Sequence, residues 1–188
     1  MVRQLFNYLK HVADFIDKIN QYVGHAVSWL VVFMVLNVFV VVVLRYVFNV
    51  GWVWMQELYV WTHAVIFMLG AGYTLLQDGH VRIDLIYRTA SERYKAVVNI
   101  LGCFFFAFPL IYILFTRSYP LAERSFQTLE KSSEAGGIPA LFILKAVIPL
   151  FCVLFGLQFL SMMIRSFLTL ITSTDVPSSL NNNQEQSL

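Results

Sequence analysis

Val38-Phe39-Val40-Val41-Val42-Val43-Leu44 is the stretch on which the fold turns. Seven consecutive apolar residues present no polar face, so the segment is neither a soluble amphipathic helix nor a membrane-barrel strand of alternating polarity. Outward from it, no formal charge occurs from Ala26 to Leu44, a window of 19 residues. At about 1.5 Å per residue such a window rises roughly 28 Å as a helix, the thickness of a hydrocarbon core. The β-branched run disfavours a helix in water, but in lipid only a helix satisfies backbone hydrogen bonds within one segment.

Three further uncharged windows follow: Leu58 to Gln77 (20 residues), Ala96 to Thr116 (21) and Ala146 to Ile164 (19). An ionised side chain at mid-bilayer costs roughly 2.5–3.5 kcal/mol even on permissive scales, so each window reads as one crossing. Composition agrees, with 59% hydrophobic and only 13% charged residues among 188, and a mean hydropathy of +0.69. Globular chains carry about 25% charge. The expected fold is an all-α integral membrane protein with spans near 26–44, 58–77, 96–116 and 141–164. Pro109 and Pro149 are expected to bend the third and fourth.

The first 25 residues differ. Leu5, Phe6, Leu9, Val12, Ala13, Ile16, Ile19 and Val23 recur at helical spacing, with Arg3, Asn7, Lys10, Asp14, Asp17, Lys18 and Gln21 on the remaining surface. The pattern predicts a separate amphipathic helix, residues 1–25, lying on the membrane surface. It is not expected to be a cleaved leader, because the apolar run is span-length and is followed by Arg45-Tyr46-Val47-Phe48-Asn49. Arg117 to Ala140, with Leu121, Phe126 and Leu129, is expected to hold a short helix on the outer surface. Residues 165–188 read as a tail, disordered in its Ser- and Asn-rich part.

With four spans both termini share a side. That side carries Arg3, Lys10, Lys18, Arg82, Arg88, Arg93, Lys95 and Arg165; the other carries Arg45, Arg117, Arg124, Lys131 and Lys145. Eight basic residues against five place the termini in the cytoplasm. Trp52, Trp54, Tyr59 and Trp61 form an aromatic belt at the opposite interface. Topology accounts for the net charge of +2, and no nucleic-acid partner is expected.

Enzyme motifs are absent from the sequence: it holds no H-E-x-x-H, no phosphate-cradling Gly loop and no G-x-S-x-G. Cys103 and Cys152 lie inside spans and read as small apolar residues. A haem-carrying membrane anchor is the main alternative reading, but His63 has no His at its depth, and His25 and His80 lie at the other boundary. Carriers acting alone usually hold ionisable groups near the midplane, whereas these windows contain none. Asn37 and Asn99 are candidates for hydrogen bonds between helices. Arg45 and Glu57 bracket the first outer segment and are placed to pair.

The chain resembles a known family, the small membrane subunit (dicarboxylate-type small permease) of tripartite ATP-independent periplasmic (TRAP) transporters. The resemblance rests on Arg45-Tyr46-Val47-Phe48-Asn49, Trp54, Gln56-Glu57, Gly70 and Gly72, and Asp78-Gly79-His80-Val81-Arg82-Ile83-Asp84. A second block runs Ser132-Ser133-Glu134-Ala135-Gly136-Gly137-Ile138-Pro139, then Leu144-Lys145-Ala146 and Pro149. The resemblance implies a non-catalytic bacterial inner-membrane subunit without a cofactor of its own. Its implied partners are membrane lipid, a large permease subunit that carries the sodium and organic-acid sites, and a periplasmic substrate-binding protein. It further implies structural or subunit-interface roles for Arg45, Trp54 and Glu57 at one end of the first hairpin, and for His80, Arg82 and Asp84 at the other.

Overall fold

The computed structural model describes residues 2–79 and 90–174, all helix and connecting turns. Helix α1 runs Val2–Phe48, α2 Val53–Leu76, α3 Glu92–Gly102, α4 Phe108–Gln127 and α5 Leu141–Thr174. A π-helical turn, Cys103–Ala107, joins α3 to α4. Four helical stretches are therefore long and apolar enough to cross a membrane: Gln4–Phe48, Val53–Leu76, Glu92–Gln127 and Leu141–Thr172. Each contains one of the four uncharged windows, apart from Gln77 just past the second.

The helix ends follow from local chemistry. Asn49, at φ 53°, stops α1, and the Val50 N–H returns to the Leu44 carbonyl at 3.0 Å. Asp78, at φ 56°, ends α2 in the same left-handed conformation, with the Gly79 N–H on the Thr74 carbonyl at 2.9 Å. Ser91 caps α3 by accepting from the Tyr94 N–H. Pro109 has no N–H for the turn before it, and that turn widens: the Phe108 N–H bonds the Cys103 carbonyl, five residues back.

Helix α5 is the hub, packing against α1, α2, α3 and α4. Helices α1 and α2 form an antiparallel pair along one of its sides, and α3 with α4 covers another. The α1–α2 approach is close because glycines face large neighbours: a Cβ at Gly24 would overlap the Tyr73 ring, and one at Gly72 would overlap Asn20 Oδ1. The tightly buried side chains are small or polar, with Asn20, Cys103, Cys152 and Ser161 almost fully enclosed. Bulky residues such as Trp29, Phe39, Phe67, Phe106 and Tyr112 point outward. Small inside and large outside is the arrangement of a helix bundle packed for lipid.

Three expectations differ from the structure. No boundary separates a surface helix at residue 25 from the first span, since Val2–Phe48 is a single helix of 47 residues. The face bearing Ala13, Ile16, Asp17 and Asn20 is buried in the bundle, where α5 returns against it. The segment after Arg117 is not a separate surface helix but the end of α4, which continues to Gln127 and stops where Leu129 adopts φ 46°. Helix α5 also passes Ile164 and reaches Thr174, because Arg165 has partners on α1. His80, Arg82 and Asp84, like the tail from residue 175, lie outside the described residues.

Candidate functional site

Two polar clusters sit at opposite ends of the bundle. At one end, Glu57 in the first turns of α2 reaches the 128–140 connection between α4 and α5. Its Oε2 accepts the Ile138 N–H at 2.6 Å, and its Oε1 accepts the Ser132 hydroxyl. The connection is shaped to present those donors. The Ser132 N–H bonds the Ile138 carbonyl at 3.2 Å, Ser132 Oγ accepts the Glu134 N–H at 3.1 Å, and the Gly137 N–H bonds the Glu134 carbonyl at 3.0 Å. Gly136 supplies a φ of 79° at the tip. A Cβ at Gly137 would lie 2.6 Å from Ser132 Oγ and 2.7 Å from Glu57 Oε2, so only glycine lets the backbone come this near.

The same connection is anchored a second time. Lys145 Nζ on α5 donates to Glu130 Oε2 at 2.5 Å. That hydrogen bond holds the Glu130 carboxyl below its ordinary range. Arg45, by contrast, points to solvent from the end of α1. Among the described residues no ion pair joins it to Glu57; the carboxylate finds its donors on the later loop instead. Trp54 lies half exposed one turn before Glu57.

At the other end, Asp17 of α1 is only 9% exposed and accepts from four groups of α5. Gln158 Nε2 and Ser161 Oγ donate to its Oδ1 at 2.9 and 2.6 Å. Arg165 donates to its Oδ2 from Nε at 2.9 Å and again from Nη2. Arg165 Nη2 also reaches Asp14 Oδ1 at 2.8 Å. One turn on, Asn20 Nδ2 lies 3.4 Å from the Leu154 carbonyl of α5. A cleft of about 600 Å³ opens beside this cluster, lined by Asp17, Asp78, Lys95, Gln158, Arg165 and Ser166 among others. A third polar contact links Asn99 of α3 to Ser166 at 3.4 Å, as expected for Asn99. Asn37 is buried on α1, but its Oδ1 has no partner.

Of the residues singled out in the sequence, Glu57 and the Ser132–Pro139 block are brought together, though nothing in their spacing said that they meet. The Asp17 cluster went unread, with Asp17 assigned to the solvated surface. The signal was present in two patterns: Asp17 follows Ala13 by four and Asn20 follows Ile16 by four, while Gln158, Ser161 and Arg165 recur at three and four. Two polar rows at helical spacing on apolar helices are matched to each other.

Cys103 and Cys152 are free and buried, and Cys103 Sγ lies 3.7 Å from the Phe159 carbonyl. The haem reading finds no geometric support. His25 stacks near Tyr73, ten residues along α2 from His63, so the two imidazoles are separated by roughly 15 Å of helix rise.

Residues 34–169 match the family described as tripartite ATP-independent periplasmic transporters, DctQ component. Neither a curated protein nor a solved structure matches the chain. The match spans the Glu57 latch and the α5 half of the Asp17 cluster, together with all four uncharged windows except the first eight residues of the first. With four apolar helices of membrane-crossing length, the chain is a multi-pass inner-membrane protein, and it belongs to the DctQ component family of TRAP transporters.

Proposed function

We propose that this chain is the non-catalytic small subunit that braces the large permease subunit of a TRAP transporter. Its 128–140 loop contributes to the surface on which a periplasmic substrate-binding protein docks, in sodium-coupled uptake of an organic acid. Both termini lie in the cytoplasm, so the Asp17 cluster is at the inner boundary and the Glu57 latch at the outer. Sodium and substrate are held by the large subunit, with no cofactor in this chain.

The observation that carries this reading is the distribution of polar contacts. Helix α5 touches every other helix and is tied at one end to α1 through Asp17, and near the other to the loop through Glu130. The outward faces of α1, α3 and α4 stay apolar. A body cross-tied at both ends and greasy between them suits a static support. A domain that translocates substrate needs such a support, because it moves only relative to something fixed.

Reconstitution tests it. Proteoliposomes containing the large subunit and binding protein are expected to take up organic acid at full rate only when this chain is present. Full transport in its absence would overturn the bracing role. Soret absorbance in the purified chain would favour the haem-carrying anchor instead.

A further inference from the structure

The outward faces of the bundle are not alike. On α3 and α4 the exposed side chains are Phe104, Phe105, Phe106, Leu110, Tyr112 and Ile113. Hydrocarbon satisfies that face completely. On α2 the outward stripe runs Val60, His63, Phe67 and Thr74, at intervals of three, four and seven, and it includes an imidazole. His63 lies six residues past Glu57, about 9 Å along the helix axis and well inside the uncharged window. It is exposed, and among the described residues it makes no hydrogen bond. Lipid tails offer an imidazole neither donor nor acceptor, and polar side chains within spans normally face protein.

Beside His63 the surface is recessed. A groove of about 420 Å³ runs between α1 and α2, lined by Ser28, Val31, Ile66, Phe67, Gly70 and Ala71 among others. Gly70 differs from Gly72, two residues on. A Cβ at Gly72 would strike Asn20, whereas one at Gly70 would meet only Val27 Cγ1, at an ordinary 3.8 Å. Packing within this chain does not call for glycine at position 70. What the missing Cβ does is leave the groove open next to an unsatisfied polar ring.

We infer that this α1–α2 face seats a transmembrane helix of the large permease subunit, one that places a carboxylate, amide or hydroxyl opposite His63. The inference rests on the bracing role proposed above and assigns that role a surface. Small residues let the partner backbone approach, Phe67, 74% exposed here, is covered, and the His63 ring gains its hydrogen bond. The α3–α4 face is left to lipid.

Photocrosslinking on the intact complex tests this. A benzophenone side chain is introduced at Phe67 or, separately, at Phe105, and the complex is illuminated in membranes before purification. Crosslinks to the large subunit are expected from position 67 and not from 105; the reverse pattern, or a crosslink from 67 to a second copy of this chain, overturns the proposal. H63L and G70L are expected to cut recovery of the large subunit about tenfold, while each variant chain alone keeps its thermal stability in detergent. Unchanged recovery for both variants also overturns it. If the unmodified chain retains no large subunit at all, the bracing role itself fails, an outcome distinct from failure of the face.

Discussion

The Asp17 cluster and the Glu57 latch both depend on one carboxylate at a bundle end, yet they hold different things. Asp17 ties helix to helix: its donors are three side chains on α5, one of them a guanidinium gripping from two nitrogens. Glu57 ties helix to loop, and its donors are a hydroxyl and a backbone N–H on the 128–140 connection. Losing the first removes a cross-tie of the bundle, while losing the second frees a surface feature and leaves the helices packed. The first should therefore register in global stability and the second in local order.

The largest effect is expected from Asp17→Ala. It strands Gln158, Ser161 and Arg165 around a vacated acceptor and should destabilise the bundle by about 3 kcal/mol, the usual cost of breaking a buried pair from one side. Thermal unfolding in detergent measures it. The double variant Asp17→Leu with Arg165→Met should lose less than the two single losses added together, since neither charge is then left alone. Additive losses would mean that the two residues do not act as a pair.

Glu57→Ala should cost the loop about 2 kcal/mol, the scale of hydrogen bonds to a charged acceptor. Limited proteolysis should find the 128–140 segment newly cleavable, while the unfolding midpoint stays within the range of an ordinary surface substitution. If Glu57→Ala lowered the midpoint as far as Asp17→Ala, the two ends would not differ in kind. Gly137→Ala probes the same latch more gently. Its Cβ must push Ser132 Oγ or Glu57 Oε2 aside, for roughly 1 kcal/mol, with partial protease sensitivity as the readout.

These two ends also mark where sequence reasoning works and where it stops. The spans were legible because an uncharged window of 19 or more residues admits few structures in lipid. Glu57 was legible as a residue of interest, but its partner was not. A carboxylate at the start of a span reads equally well as a pair for Arg45 four residues before the turn, and only the folded loop decides for Ile138 and Ser132. Asp17 was misread because a single charge on an amphipathic stretch is ordinarily solvated. Its burial depends on α5 arriving 148 residues later with Arg165 in register. Long-range register of that kind leaves only the paired polar spacings as its trace.

The smallest effect separates the latch from its second anchor. Glu130 lies outside the bundle, and its bond from Lys145 holds its carboxyl below the ordinary value of 4.5. A depressed carboxyl contributes stability that is fully present above its unfolded value and is lost as pH falls through its lower, folded one. The Glu130–Lys145 anchor should therefore hold at neutral pH and release only below the ordinary carboxyl range. Hydrogen exchange across residues 128–140, followed as pH falls from 7 into that range and corrected for intrinsic rates, should show protection dropping in a late acid step. Lys145→Met should remove that step while leaving the Glu57 contacts at neutral pH intact. Should the step survive in Lys145→Met, the acid response would belong to Glu57, and the loop would have one carboxylate anchor rather than two.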